Sequence, residues 1–315
     1  MPKNIPGQRL DWTVRWPAKW PHPALFIVVL AWGINFPMVK LAYLGFSTPA
    51  AALIRCLCQI PVVFLVVWLL GKPLRLDPKY RVGVFIGGLL NSGIYMILFL
   101  EGLHRTSSSQ GAIALCTAPI FVALLSGLLG QEKVTPQTIL GSVLAFGGVA
   151  VAELGSKGSG EGNGFGTVLC VLSAVVWAVS LSVMRPAIDG QDAMTVFAWS
   201  LVPAALVLVP YGFMSVAQTP WAQVPTSAWV GLVYMIFVAG VGGFTAYYIG
   251  IAKSGAAKGS MVSYFIPIVA AFAAWPLLGD RPQLAHLVGL ALVLCGVGVV
   301  NLGRKPATLA PAEGQ

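Results

Sequence analysis

EGLHRTSSSQGAIALCTAPIFVALLSGLLGQEKV, residues 101–134, returns 148 positions later as IGIAKSGAAKGSMVSYFIPIVAAFAAWPLLGDRP, residues 249–282. The register pairs Gly102 with Gly250, Arg105 with Lys253, Gly111 with Gly259, Pro119 with Pro267 and Glu132 with Asp280. It continues without a gap, laying Gly141 on Gly289 and Gly148 on Gly296. Self-similarity of this length marks a duplicated structural unit. Towards the start of each copy an offset of 145 lays Trp32, Asn35 and Lys40 over Trp177, Ser180 and Arg185, so the first segment of the unit is duplicated too.

Only 9% of the 315 residues are charged, 57% are hydrophobic, and the mean hydropathy is +0.83. No water-soluble core hides so much apolar surface, and the chain reads as all-α and polytopic in the membrane. Apolar runs fall near 24–44, 49–70, 81–102, 108–130, 135–154, 165–184, 194–214, 228–251, 258–279 and 284–303. Each is about 20 residues, enough at ~1.5 Å per residue to cross a ~30 Å hydrocarbon layer. Ten transmembrane helices in two copies give five per copy. Because five is odd, the copies face opposite ways, an inverted repeat with its site expected near the midplane where the halves meet. The expected domains are a leader 1–23, a first repeat 24–154, a linker 155–166, a second repeat 167–303 and a tail 304–315.

Of the 19 Lys and Arg, 14 fall on the side holding both termini, three on the other side, and Lys40 and Arg55 within spans. The positive-inside rule makes the heavy side cytoplasmic, in an inner (plasma) membrane. The +9 net charge is thus a topological feature, and no basic, aromatic-interleaved module for nucleic acid is present. Trp12, Trp16 and Trp20 beside Arg15 and Lys19 suit a headgroup-level anchor on a retained first helix. The glycine-rich linker lacks the Lys-Ser/Thr ending of a phosphate loop. Cys56, Cys58, Cys116, Cys170 and Cys295 lie in apolar segments without metal-ligand spacing, and His22, His104 and His286 are scattered. Neither a metal site nor a cofactor is expected.

With AWGINF at 31–36, LIRC at 53–56, and the related blocks 105–149 and 253–299, the chain resembles the EamA-type, ten-helix branch of the drug/metabolite transporter superfamily over roughly residues 24–303. The resemblance implies a non-enzymatic exporter of amino acids or related small metabolites, with a central cavity between the halves and alternating access.

On a helix, Trp32, Asn35, Phe36 and Val39 share one stripe, and Trp177, Ser180, Leu181 and Met184 repeat it. A Trp beside a small polar group in both copies suggests an aromatic wall with a hydrogen-bonding floor; alternatively the Trp packs and Asn35 or Ser180 binds a carbonyl across an interface. Pro37, Pro119 and Pro267 interrupt backbone hydrogen bonds and bend their helices, as hinges or as fixed bends, with Thr117 and Ser263 near enough to satisfy freed carbonyls. Asn91 and Tyr95 in the third span, with Tyr247 in the eighth, are candidate lining residues, because an amide in hydrocarbon costs several kcal/mol unless paired or hydrated. Gly83, Gly87, Gly88 and Gly93 suit close helix packing. Arg55 and Gln59 share a face of the second span: Arg55 either attracts a substrate carboxylate or contacts headgroups or loop carbonyls. Glu101 is expected to pair with Arg105. No Asp or Glu lies deep in a span, so no coupling ion is assigned. The competing readings are a carrier of a purine, sugar or cationic drug, and a membrane protein without transport activity.

Overall fold

The computed structural model describes residues 22–128, 135–155, 164–254, 264–281 and 283–302. The leader with its three tryptophans, linker residues 156–163, Ser263 and the tail from 303 lie outside the described residues. Ten helical segments follow the ten apolar runs: α1 Pro23–Ala42, α2 Thr48–Leu69, α3 Pro78–Arg105, α4 in two pieces, Ser108–Leu115 and Ala118–Leu128, and α5 Pro136–Gly155. The second half follows with α6 Gly164–Gly190, α7 Ala193–Ala217, α8 over 226–254, α9 Ile266–Leu278 and α10 Leu284–Leu302. Eight are long and apolar enough to cross a membrane, α9 and α10 are shorter apolar helices, and the described residues contain no strand. α6 outruns the predicted end at 184 because its last turns are polar, with Arg185 and Asp189 paired one turn apart at 3.6 Å.

Helix starts are encoded locally. Ser47 and Asp192, which correspond at the 145 offset, cap α2 and α7: the Ser47 hydroxyl accepts from Ala50 N at 3.4 Å and Asp192 from Met194 N at 3.0 Å. Ser107 and Gln110 form a reciprocal capping box at α4. Pro119 has no N–H for the carbonyl one turn earlier, and α4 breaks there at Cys116–Thr117.

Packing follows the inverted duplication. α1 lies on α8 and α9, and α6 on α3 and α4; α2 pairs with α7 and α5 with α10. At the α5–α10 crossing a Cβ on Gly141 would stand 2.3 Å from the Gly296 carbonyl oxygen, and one on Gly296 2.4 Å from that of Gly141. Further along, Gly148 and Gly289 approach each other's carbonyls in the same way, at 2.5 and 2.6 Å. The two helices therefore run antiparallel, with backbone touching backbone, as small residues allow. Exchanged contacts recur elsewhere. Gly83 faces the Val183 carbonyl and its copy Gly231 the Met38 carbonyl; Gly102 meets Cys170 and its copy Gly250 meets Leu25.

α3 and α8 each widen into a π-helical stretch at corresponding depth, Leu89–Ile94 and Tyr234–Gly243. The sequence pattern predicts ordinary helix there, placing Asn91 and Tyr95 one α-turn apart; in the structure Asn91 sits within the π stretch and Tyr95 closes it. In α8 the widened turn receives side chains where glycine leaves room. A Cβ on Gly240 would fall 1.9 Å from Gln59 Nε2, and one on Gly243 2.5 Å from Trp32 Nε1. The Trp32 indole N–H donates to the Ala239 carbonyl at 3.0 Å, pairing a backbone group of the π stretch.

The two faces of the bundle carry different contacts. On one, the α2–α3 loop is strapped to the start of α7: Thr195 Oγ1 donates to Pro73 O at 2.5 Å, Trp199 Nε1 to Leu74 O at 2.8 Å, and Lys72 pairs with Asp192 at 2.8 Å. On the other, Trp221 and Trp229 of the α7–α8 region pack edge-on against Phe46 at 6.1 and 5.1 Å.

Two stability outcomes follow. Gly148→Ala forces apart the α5–α10 backbones and is expected to cost about 1–3 kcal/mol, the range for overpacking. Gly147→Ala, with open space at its Cβ, leaves the thermal midpoint in detergent unchanged or higher. Trp32→Phe removes the indole donor to the Ala239 carbonyl and lowers stability by about 1 kcal/mol, whereas Trp177→Phe, which removes no described hydrogen bond, has a smaller effect in the same melts.

Candidate functional site

The pseudo-two-fold axis passes between residues that face their own copies. Trp32 on α1 and Trp177 on α6 meet edge-on with centroids 6.5 Å apart, and the Cys56 thiol on α2 points at the Leu201 carbonyl on α7, at 3.9 Å. From the tryptophan pair an aromatic chain extends both ways. Phe244 lies 5.1 Å from Trp32 and 6.1 Å from Trp177, and Tyr247 lies 5.4 Å from Trp32. On the other side Tyr95 is 5.2 Å from Trp177 and stacks on Phe99 at 5.7 Å, and Phe99 meets Phe36 edge-on at 5.6 Å. These separations are those of favourable edge and offset ring pairs. Both tryptophans keep part of their surface exposed.

Polar groups border this chain. Arg55 Nε donates to Gln59 Oε1 at 3.3 Å on α2, and Gln59 lies against Gly240 in the π stretch that also receives Trp32. Asn35 and Asn91, both buried, each hold an amide oxygen sealed from solvent with no hydrogen-bond partner among the described residues, as does the Thr245 hydroxyl. Trp177 departs from its copy: its ring N–H has no hydrogen-bond partner among the described residues, and it is not among the sealed atoms.

Other sequence-predicted residues are engaged locally. Ser180 is fully buried and its hydroxyl donates to the Trp177 carbonyl of its own helix at 2.7 Å, rather than across an interface; such back-bonding is inexpensive for a helical serine. Thr117 is likewise buried at the break of α4, donating to the Ala114 carbonyl at 2.7 Å. Its neighbours Ile113, Cys116 and Ile120 pack with α5 and α10, apart from the aromatic chain. Pro37 is buried within a continuous α1, and Pro267 stands in the first turn of described α9. Cys56, Cys116 and Cys170 are buried, whereas Cys58 and Cys295 face outward. Glu101 pairs with Arg105 and also accepts from Tyr211 at 2.5 Å. Glu153 accepts from Thr167 at 2.5 Å and from Gln110 at 3.4 Å, a polar knot at the ends of α4, α5 and α6 rather than in the centre.

Phe99 and Phe244 escape the sequence reading. Phe99 was recoverable from its place one turn beyond Tyr95; Phe244 follows the GVGG run at 240–243, a mark of irregular helix whose π geometry is not readable from glycine alone.

A model of the EamA-like transporter family matches residues 19–153 and 164–302, one match on each structural half. An uncharacterized transporter of Archaeoglobus fulgidus is 26% identical over 278 residues, covering 88% of this chain and 96% of that protein. A probable terminal-alkyne amino-acid exporter of Streptantibioticus cattleyicolor is 24% identical, covering 92% of this chain and 97% of the other. A crystal structure that is 20% identical in sequence superposes with a TM-score of 0.60 over 88% of this chain and 96% of its own, a likeness of fold. With the family match covering both five-helix halves, and with those halves packed as inverted copies around Trp32 and Trp177, the chain belongs to the EamA-like transporter family.

Proposed function

We propose that the protein exports amino acids or related small metabolites across the inner (plasma) membrane, by alternating access through the seam between its halves. The observation that carries this reading is the Trp32–Trp177 pair: two copies of one residue face each other on the axis, partly exposed, and among the described residues only the Trp32 indole is hydrogen-bonded. A site on the axis of an inverted repeat is presented to either membrane face when the halves exchange conformations. The unequal bonding of the two indoles is what two halves in different conformations produce.

In this reading Trp32, Trp177, Phe36, Tyr95 and Tyr247 form the walls, and Asn35 and Asn91 offer their unpaired amides to substrate. Thr117 and Ser180 donate to carbonyls of their own helices, Ser263 stays a lining candidate on the sequence alone, and Pro37, Pro119 and Pro267 are the candidate hinges. Both termini are cytoplasmic, as the Lys and Arg distribution favours. The α2–α3 strap then closes the cytoplasmic side, and the Phe46–Trp221–Trp229 cluster the outer side. No catalytic role is assigned. Amino acids are favoured over other solutes because the Streptantibioticus cattleyicolor relative bears the name of an amino-acid exporter.

Counterflow into proteoliposomes tests this with a panel of amino acids, a purine, a sugar and a cationic drug. At least one amino acid should accumulate above protein-free vesicles; Trp177→Ala should cut its rate by about tenfold or more, equivalent to ~1.4 kcal/mol of lost stabilisation, and the outward-facing Leu287→Ala should not. Accumulation of only the purine, sugar or drug overturns the substrate reading, and no accumulation of any solute overturns transport.

A further inference from the structure

Resting on the transport reading above, we propose that Arg55 and Gln59 form a carboxylate-recognition subsite beside the aromatic chain, so that the protein selects solutes bearing a free carboxylate and rejects their neutral or purely cationic analogues. Arg55 is only 5% exposed and Gln59 3%, yet Arg55 takes part in none of the ion pairs among the described residues. Those four pairs join Lys72 to Asp192, Lys79 to Asp77, Arg105 to Glu101 and Arg185 to Asp189, all towards helix ends. The one described hydrogen bond of the guanidinium is from Nε to Gln59. Its two terminal nitrogens make no hydrogen bond among the described residues and are not fully sealed from solvent. No hydrogen bond from Arg55 to a loop carbonyl is made among the described residues.

A guanidinium in this setting has a strong preference for an anion. Charge buried in hydrocarbon is unfavourable unless paired, and the planar fork of Arg matches the two oxygens of a carboxylate. Gln59 accepts from Nε and so fixes the plane of the fork, leaving the terminal pair of N–H groups for the ligand. The amide nitrogen of Gln59 is in turn held at Gly240, where any larger residue would displace it. The arrangement is one-sided. At the 145 offset Arg55 corresponds to Ser200, whose hydroxyl is spent on the Phe197 carbonyl of its own helix at 2.7 Å, and Gln59 corresponds to Ala204. The first half therefore supplies the charge recognition, and the aromatic chain from Trp32 to Phe99 accommodates the remainder of the solute, including an ammonium over a ring face.

Two measurements test the subsite, one of them independent of transport. In purified protein at constant ionic strength without chloride, benzoate should raise the thermal midpoint and the isosteric, neutral benzamide should not. The benzoate shift should vanish in Arg55→Gln and persist, reduced, in Arg55→Lys. In counterflow, the amino acid moved best should outpace its methyl ester and its decarboxylated amine by at least tenfold. Equal shifts from benzoate and benzamide, a benzoate shift retained in Arg55→Gln, or stabilisation by chloride with no further gain from benzoate would each overturn the subsite. If Arg55→Gln does not fold, the benzoate–benzamide contrast in the unaltered protein decides. A benzoate shift without any solute flux leaves the subsite standing and defeats the transport reading; flux of acid and ester at equal rates does the reverse.

Discussion

Five helices per copy is the constraint on which the rest of the structure depends. An odd-numbered unit joined to its own duplicate enters the membrane from opposite sides, so the copies are related by an axis lying in the membrane plane. Contacts near that axis can then be made by a residue and its own copy, or occur twice with partners exchanged. The α5–α10 crossing shows this at backbone level: Gly141 meets Gly296 and Gly148 meets Gly289, with no room for a Cβ at any of the four. In hydrocarbon, where burial of apolar surface does not drive helices together, such close approach is what holds them. Trp32 and Trp177 meet for the same reason, and Phe244, Tyr247 and Tyr95 extend the aromatic centre from them.

The departures from symmetry carry the chemistry. Trp32 bonds the Ala239 carbonyl in the π stretch of α8, whereas the corresponding position in α3 is Asn91, whose amide oxygen is sealed and unpaired. Ser200 and Ala204 occupy the places of Arg55 and Gln59, so one half is charged where the other is neutral. π stretches recur at functional positions in helices because they shift the following residues around the axis. Here they lie at corresponding depths beside the tryptophan pair and bring Tyr95 and Phe244 to it.

Much of the architecture was legible in the sequence. Apolar runs separated by charged or Gly/Pro-rich breaks located the ten segments, because hydrocarbon thickness sets their length. The two offsets gave the inverted duplication, the stripe containing Trp32 and Trp177 pointed to the seam, and Glu101 and Arg105 pair one turn apart as expected. What escaped depends on partners distant in sequence. The π stretch of α8 is stabilised by side chains from α1 and α2 entering at Gly243 and Gly240, and local pattern cannot distinguish a glycine kept for that purpose from one kept for helix packing. Ser180 and Thr117 look like site hydroxyls in sequence, but each has a carbonyl of its own helix within reach. Whether a hydroxyl is spent locally is settled only by side-chain rotamer and packing.

Reciprocal motion of the two faces about the tryptophan seam is the central claim. Its most direct measurement is a pair of spin-label distances in a background with the native cysteines replaced, taken with and without a transported solute. One pair joins α1 and α6 at the side of the α1–α2 loop, through the exposed positions Leu44 and Phe165, and the other joins them at the opposite side, through Phe26 and Asp189. Solute should shorten one distance distribution while lengthening the other. Distances that stay fixed, or that change in the same direction at both faces, would contradict alternating access around Trp32 and Trp177.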